Sequence, residues 1–163
     1  MNASSRTPSN ADELPSVDAL RGAGLRVTAV RVALLETVRD GDHLGVEGVA
    51  SGVRARVGHV SLQAVYEALH ALTAVGLVRR IEPAGGAPRF EGRVGDNHHH
   101  LICRSCGVVA DVDCAVGEAP CLVPSDDRGF ALAEAEVIYW GLCADCSVRG
   151  EPPSARRSPS DRT

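Results

Sequence analysis

Two Cys-x-x-Cys pairs, Cys103-Arg-Ser-Cys106 and Cys143-Ala-Asp-Cys146, constrain this chain more than any other feature. Each pair presents two thiolates from one tight turn, and two such knuckles complete a tetrahedral site for which zinc is the natural occupant. A fold that closes the square must bring residue 103 beside residue 143, across the 36 residues between the knuckles. That gap exceeds the usual zinc-ribbon spacing, so the strand-like runs inside "HLICRSCGVVADVDC" and "FALAEAEVIYWGLCADC" have to join them. The competing reading is a pair of thioredoxin-like dithiols, but those open a helix within a βαβ unit, and neither pair here does.

The remaining cysteines are Cys114 and Cys121. They are candidate redox thiols, although a free cysteine is more often a small buried hydrophobe, and the acidic neighbours Asp111, Asp113 and Glu118 raise a thiol pKa. Six cysteines suit metal ligation or redox chemistry in a reducing compartment. The N-terminal residues carry no apolar leader and no run is long enough to span a bilayer, so a cytoplasmic protein without a membrane partner is expected. The net charge of −4 is unevenly spread: residues 1–95 hold 11 Arg against 10 acids, and residues 96–163 hold 6 Arg against 11. There is no lysine, so phosphate contact in the front half would come from arginine, hydroxyls or backbone N–H groups.

The front half is helical in its periodicity. "SVDALRGAGL" offers Ser16 as an N-cap and Gly22 and Gly24 as stops, and "TAVRVALLETVRD" starts at Thr28. A weaker third helix in "GVEGVASGVRARV" is interrupted by Gly48 and Gly52. "SLQAVYEALHALTAVGL" opens on Ser61, repeats apolar residues from Leu62 to Val75 and ends at Gly76. A hairpin follows, "LVRRIEP" and "APRFEG" about a turn at residues 84–86. Helices closing on a two-strand wing describe a winged helix-turn-helix, with Arg26, Arg79, Arg80 and Arg89 about the DNA face. The expected fold class is therefore α+β: the winged helix, then a small α/β domain of about three strands carrying a four-cysteine zinc site. The expected boundaries are a disordered arm over 1–13, a DNA-binding domain over 14–92, a metal-binding domain over 93–147 and a disordered tail over 148–163.

His98, His99 and His100 run directly into the first knuckle. On a strand, side chains alternate, so His98 and His100 point one way and His99 the other. Two imidazoles make half of a site of nitrogen and oxygen donors, with Asp111, Glu91 and His43 as candidates to complete it. Such a site suits Fe(II), Mn(II) or Zn, and is harder and more labile than the thiolate square.

These residues, in this order, resemble the ferric uptake regulator family from about residue 14 to residue 147. "GLRVTAVRVALLETV" is similar to the family's opening helix, "VSLQAVYEALHALTAVGLV" to its recognition helix, "HHHLICRSCG" to its metal segment and "YWGLCADC" to its closing knuckle. "DNHHHLICRSCGVVADVDCAVGEAPCL" is most similar to actinobacterial members linked with catalase genes. The resemblance implies a homodimer, with the α/β domain over 93–147 as its dimerisation domain, and structural zinc at Cys103, Cys106, Cys143 and Cys146. It implies a regulatory Fe(II) or Mn(II) held by His43, Glu91, His98, His100 and Asp111. DNA contact would come from Arg26, Ser61, Gln63 and Tyr66, on a palindromic A/T-rich operator. Three features depart from the family pattern. Ala64-Val65-Tyr66-Glu67 stands where Thr-Val-Tyr-Arg is usual, Asn97 and Ala135 replace histidines of an additional metal site, and Glu91 replaces an aspartate of the peroxide-sensing branch.

The expected function is a metal-dependent, DNA-binding repressor, peroxide-responsive and acting on oxidative-stress genes, and not an enzyme. An iron, zinc or nickel homeostasis regulator of the same family is the alternative. A zinc enzyme is disfavoured because the thiolate square is closed and no His-x-Glu of a nucleobase deaminase is present. A thiol-based redox protein using Cys114 and Cys121 is the third reading.

Overall fold

The computed structural model describes residues 14–83, 86–96, 98–114, 122, 124–132 and 135–150. Both predicted disordered ends, apart from Val148 to Gly150, lie outside that range, as does Cys121. The chain divides into two compact units, the first ending at Asp96 and the second containing His98 onward. Among the described residues no helix is long and apolar enough to cross a membrane.

The first unit begins with α1 (Ser16–Gly22) and α2 (Ala29–Asp40), followed by β1 (Leu44–Gly45) and α3 (Val46–Val57). Then come α4 (Leu62–Ala74), β2 (Arg79–Ile81) and β3 (Arg89–Glu91). Hydroxyl caps start two of the helices: Thr28 accepts from the Arg31 N–H at 3.3 Å and Ser61 from the Ala64 N–H at 3.2 Å. Ser16 does not cap. Pro15 holds that place, its carbonyl accepting from Asp18 and Ala19 at 2.9 and 3.0 Å, and Ser16 is buried as the first helical residue. α1 and α4 end alike, on Gly24 and Gly76 with φ of +71° and +72°. In each case the next residue donates back five positions, Leu25 to Leu20 and Leu77 to Leu72, at 2.9 and 3.0 Å.

The expected break in α3 is absent, because Gly48 and Gly52 lie within one helix. Gly52 answers instead to packing. A Cβ there would run into Thr37 Cγ2, so α2 and α3 approach as closely as they do only because position 52 has none. β1 is an addition to the predicted hairpin: Leu44 pairs with Phe90, giving a three-stranded sheet ordered β1-β3-β2. Leu34, Leu35, Val53, Leu69, Leu72 and Phe90 lie in one buried cluster that joins the helices to this sheet.

The second unit contains β4 (His98–Cys103), β5 (Val109–Asp113), β6 (Ile138–Gly141) and the short α5 (Ala144–Val148). β4 is central, antiparallel to β5 and parallel to β6. The register sets His100 opposite Asp111 and Cys103 beside Gly141. Strand pairing is thus what carries the first knuckle to the second.

Candidate metal centres and nucleic-acid face

The thiolate square forms as the sequence requires. Cys103 ends β4, Cys106 lies in the turn beyond it, Cys143 immediately precedes α5 and Cys146 lies within that helix. One sulfur from each falls within 4.8 Å of the others, and Cys106 Sγ lies 3.7 Å from Cys143 Sγ. Zinc–sulfur bonds of about 2.3 Å at tetrahedral angles separate sulfurs by roughly 3.8 Å, so the four cysteines are grouped on the scale of a zinc site and the Cys106–Cys143 pair already matches it. The backbone helps one thiol ionise: N–H groups of Cys106 and then Cys143 bring Cys103 down from 9.0 to about 6, the Cys143 N–H lying 3.3 Å from its sulfur. Cys106 is shifted up. The Val108 N–H favours its thiolate, but the neighbouring Cys103, burial and Cys143 outweigh that. Crowded sulfurs resist sharing four negative charges, and a divalent cation removes the resistance. Arg149 donates to Cys146 Sγ at 3.3 Å.

The nitrogen and oxygen donors occur in two sets, one in each unit. In the first, His43 Nε2 lies 3.0 Å from Glu91 Oε2, and both side chains are buried. Arg79 Nη1 reaches the other Glu91 oxygen at 3.9 Å. His43 sits at φ +48°, a conformation non-glycine residues adopt at a cost. Its Nδ1 faces Asp42 Oδ1 at 2.7 Å. The contact is one of charge and proximity without hydrogen-bond geometry, and both ring nitrogens of His43 are buried. Sequence reasoning missed Asp42; its adjacency to a histidine in "GDHLG" was the available signal.

In the second unit, strand alternation puts the His98 and His100 rings together, centroids 5.0 Å apart. Asp111 Oδ1 lies 3.6 Å from His100 Nε2 and 3.9 Å from His98 Nε2. His99 points the other way, edge-on to Tyr139 at 6.2 Å. The chemistry of each set, imidazole nitrogen with carboxylate oxygen, fits a borderline divalent ion such as Fe(II), Mn(II) or Zn. Cys114 is half-buried just beyond β5.

On α4, Val65, Ala68, Leu69 and Leu72 face the core, and Gln63, Tyr66, Glu67 and His70 are exposed. Gln63 Nε2 donates to Glu67 Oε1 at 3.1 Å. Ser61 is committed to its cap, and Arg26 is exposed, its carbonyl accepting from Arg31 Nη1 at 2.9 Å.

A model of the ferric uptake regulator family matches residues 22–139. The transcriptional regulator FurA of Mycobacterium tuberculosis is 64% identical over 129 residues, covering 79% of this chain and 88% of that protein. Ferric uptake regulation protein 1 of Mycolicibacterium fortuitum is 56% identical over 150 residues, 90% of this chain and 93% of its own. Among solved structures, the ferric uptake regulator of Pseudomonas aeruginosa with manganese superposes with a TM-score of 0.64 at 28% identity, covering 79% of this chain and 98% of that one. That of Vibrio cholerae gives 0.59 at 26%, covering 77% and 98%. With the thiolate square, the paired imidazole and carboxylate sets and the helices in the order described, the chain belongs to the ferric uptake regulator family.

Proposed function

We propose that the protein is a metal-dependent transcriptional repressor that binds DNA as a homodimer. In this reading a regulatory ion, Fe(II) or Mn(II), joins His43 and Glu91 of the first unit to His98, His100 and Asp111 of the second. The observation that carries it is the division of donors: two residues in one unit and three in the other, each set too small for the five or six ligands such ions prefer. An ion that needs both sets binds better where they meet, so it populates that arrangement at the expense of others. Zinc at Cys103, Cys106, Cys143 and Cys146 holds the second unit together whether or not the regulatory ion is present. Leu101, Val108 and Tyr139 remain about half exposed on the second unit, an apolar strip suited to a second copy of the chain. In DNA, α4 enters the major groove with Ser61, Gln63 and Tyr66 toward it, and Arg26 reaches an adjacent A·T-rich minor groove.

The test compares His98→Ala, His99→Ala and His100→Ala. Duplexes enriched by the wild-type protein from a random library serve as the DNA, with anaerobic binding measured with and without Fe(II) or Mn(II). His98→Ala and His100→Ala should lose the metal response yet keep zinc, and His99→Ala should keep both. Equal losses in all three, or loss of zinc with the response, overturn the two-site reading.

Peroxide responsiveness is the finer part of the proposal, supported by the similarity of the metal segment to catalase-linked members. Fe(II), when bound, would supply the electrons that activate peroxide, and the family resemblance makes His43 or His98 the candidate imidazole for oxidation. Mass spectrometry after Fe(II) loading and peroxide should find added oxygen on one of them. A new disulfide at Cys114 and Cys121 in its place moves sensing to the thiols.

A further inference from the structure

Glu67 is the one formally charged side chain of α4, and it sits on the exposed stripe with Gln63, Tyr66 and His70. A carboxylate on a helix that approaches DNA is repelled by every phosphate it nears. It is satisfied only at a base edge that offers a donor. The hydrogen bond from Gln63 Nε2, one helical turn earlier, holds one carboxylate oxygen on the stripe. An ionised carboxylate accepts only, so this pairing also fixes the orientation of the Gln63 amide, with its nitrogen toward Glu67. Glu67 is exposed and next in sequence to Tyr66, which is about half exposed, and its outer oxygen is the one that does not accept from Gln63.

We propose that Glu67 is a specificity-determining residue that reads cytosine, its outer oxygen accepting from the N4 amino group of one cytosine in each half-site. The inference rests on α4 being the DNA-reading helix. The base follows from the major-groove pattern. Thymine O4 and guanine O6 and N7 are acceptors that oppose a carboxylate, and adenine sets an N7 acceptor next to its amino group. Cytosine offers a donor with no acceptor of its own beside it.

The experiment selects bound duplexes from a random library with the full chain loaded with zinc and Mn(II), and sequences them for wild type, Glu67→Gln and Glu67→Ala. Wild type should enrich a palindrome with one strongly preferred cytosine per half. Glu67→Gln should move that position toward adenine, whose N6 and N7 an amide can pair with together. Glu67→Ala should flatten it. On defined duplexes, cytosine-to-thymine replacement there should cost wild type roughly tenfold in affinity and Glu67→Ala almost nothing. A common motif whose base preferences are the same for all three proteins overturns the role of Glu67 and leaves the DNA-binding reading standing. If none of the three enriches any motif, α4 does not read DNA, and both fall.

Discussion

Asp42 places an exposed carboxylate against a buried imidazole. Its Oδ1 lies 2.7 Å from His43 Nδ1, close enough for its charge to favour a cation at the ring. Asp42→Ala should weaken regulatory Mn(II) binding by about tenfold, the low end for such partners because Asp42 is mostly solvent-exposed. Asp42→Asn should lose about as much, since the contact is one of charge. Calorimetric titration of the zinc-loaded protein decides this, and equal affinity in the alanine variant and wild type would remove Asp42 from the site. At the thiolate square, Cys103→Ser should release zinc and, with it, the order of the second unit. Structural zinc binding supplies roughly 10–16 kcal/mol of apparent folding free energy in small metal-dependent folds, and a unit of three short strands depends on it in the same way. Metal analysis together with hydrogen exchange over β4 to β6 checks both parts. The cysteine pairs and the sides taken by His98, His99 and His100 were legible in the sequence, because ligand spacing and strand alternation are local properties. Asp42 was not, because its role depends on a positive φ at His43 that no composition or period announces.

The elements show where propensity misleads. Two glycines in α3 predict a broken helix, yet α3 is continuous because α2 packs against it and repays the lower propensity. Gly52→Ala therefore sets two effects against each other. Alanine favours the helix by about 1 kcal/mol, and the new methyl meets Thr37, whose hydroxyl donates to the Ala33 carbonyl at 2.6 Å and accepts from Arg56 at 3.2 Å. Overpacking of this kind costs about 1–3 kcal/mol, so the variant should be less stable by up to about 2 kcal/mol. Urea denaturation gives the sign: a higher midpoint for Gly52→Ala would mean that α2 and α3 separate easily. β1 escaped prediction for a related reason. Two residues have no period, and Leu44 and Gly45 form a strand only because β3 supplies their partners.

For the whole molecule, four of the six cysteines meet in the square and Cys114 stands outside it among the described residues, while Cys121 lies beyond those residues and is expected to be free. With zinc bound, a thiol reagent should titrate two groups per native chain, and after chelation under denaturing conditions it should titrate six. Four or more reactive thiols in the zinc-loaded native protein would contradict a closed square.

The parallel pairing of β4 with β6 has a consequence for how the chain is made. By the time Cys106 leaves the ribosome the whole helical unit is already synthesised, but Cys143 is still 37 residues away. At about 5–20 residues per second, the first knuckle waits roughly 2–8 s for its partner strand. During that interval Cys103 and Cys106 form an unfinished dithiol on a nascent chain, open to oxidants and to stray metal ions. A cell under oxidative stress therefore meets this protein at its most vulnerable during translation, before the thiolates are enclosed.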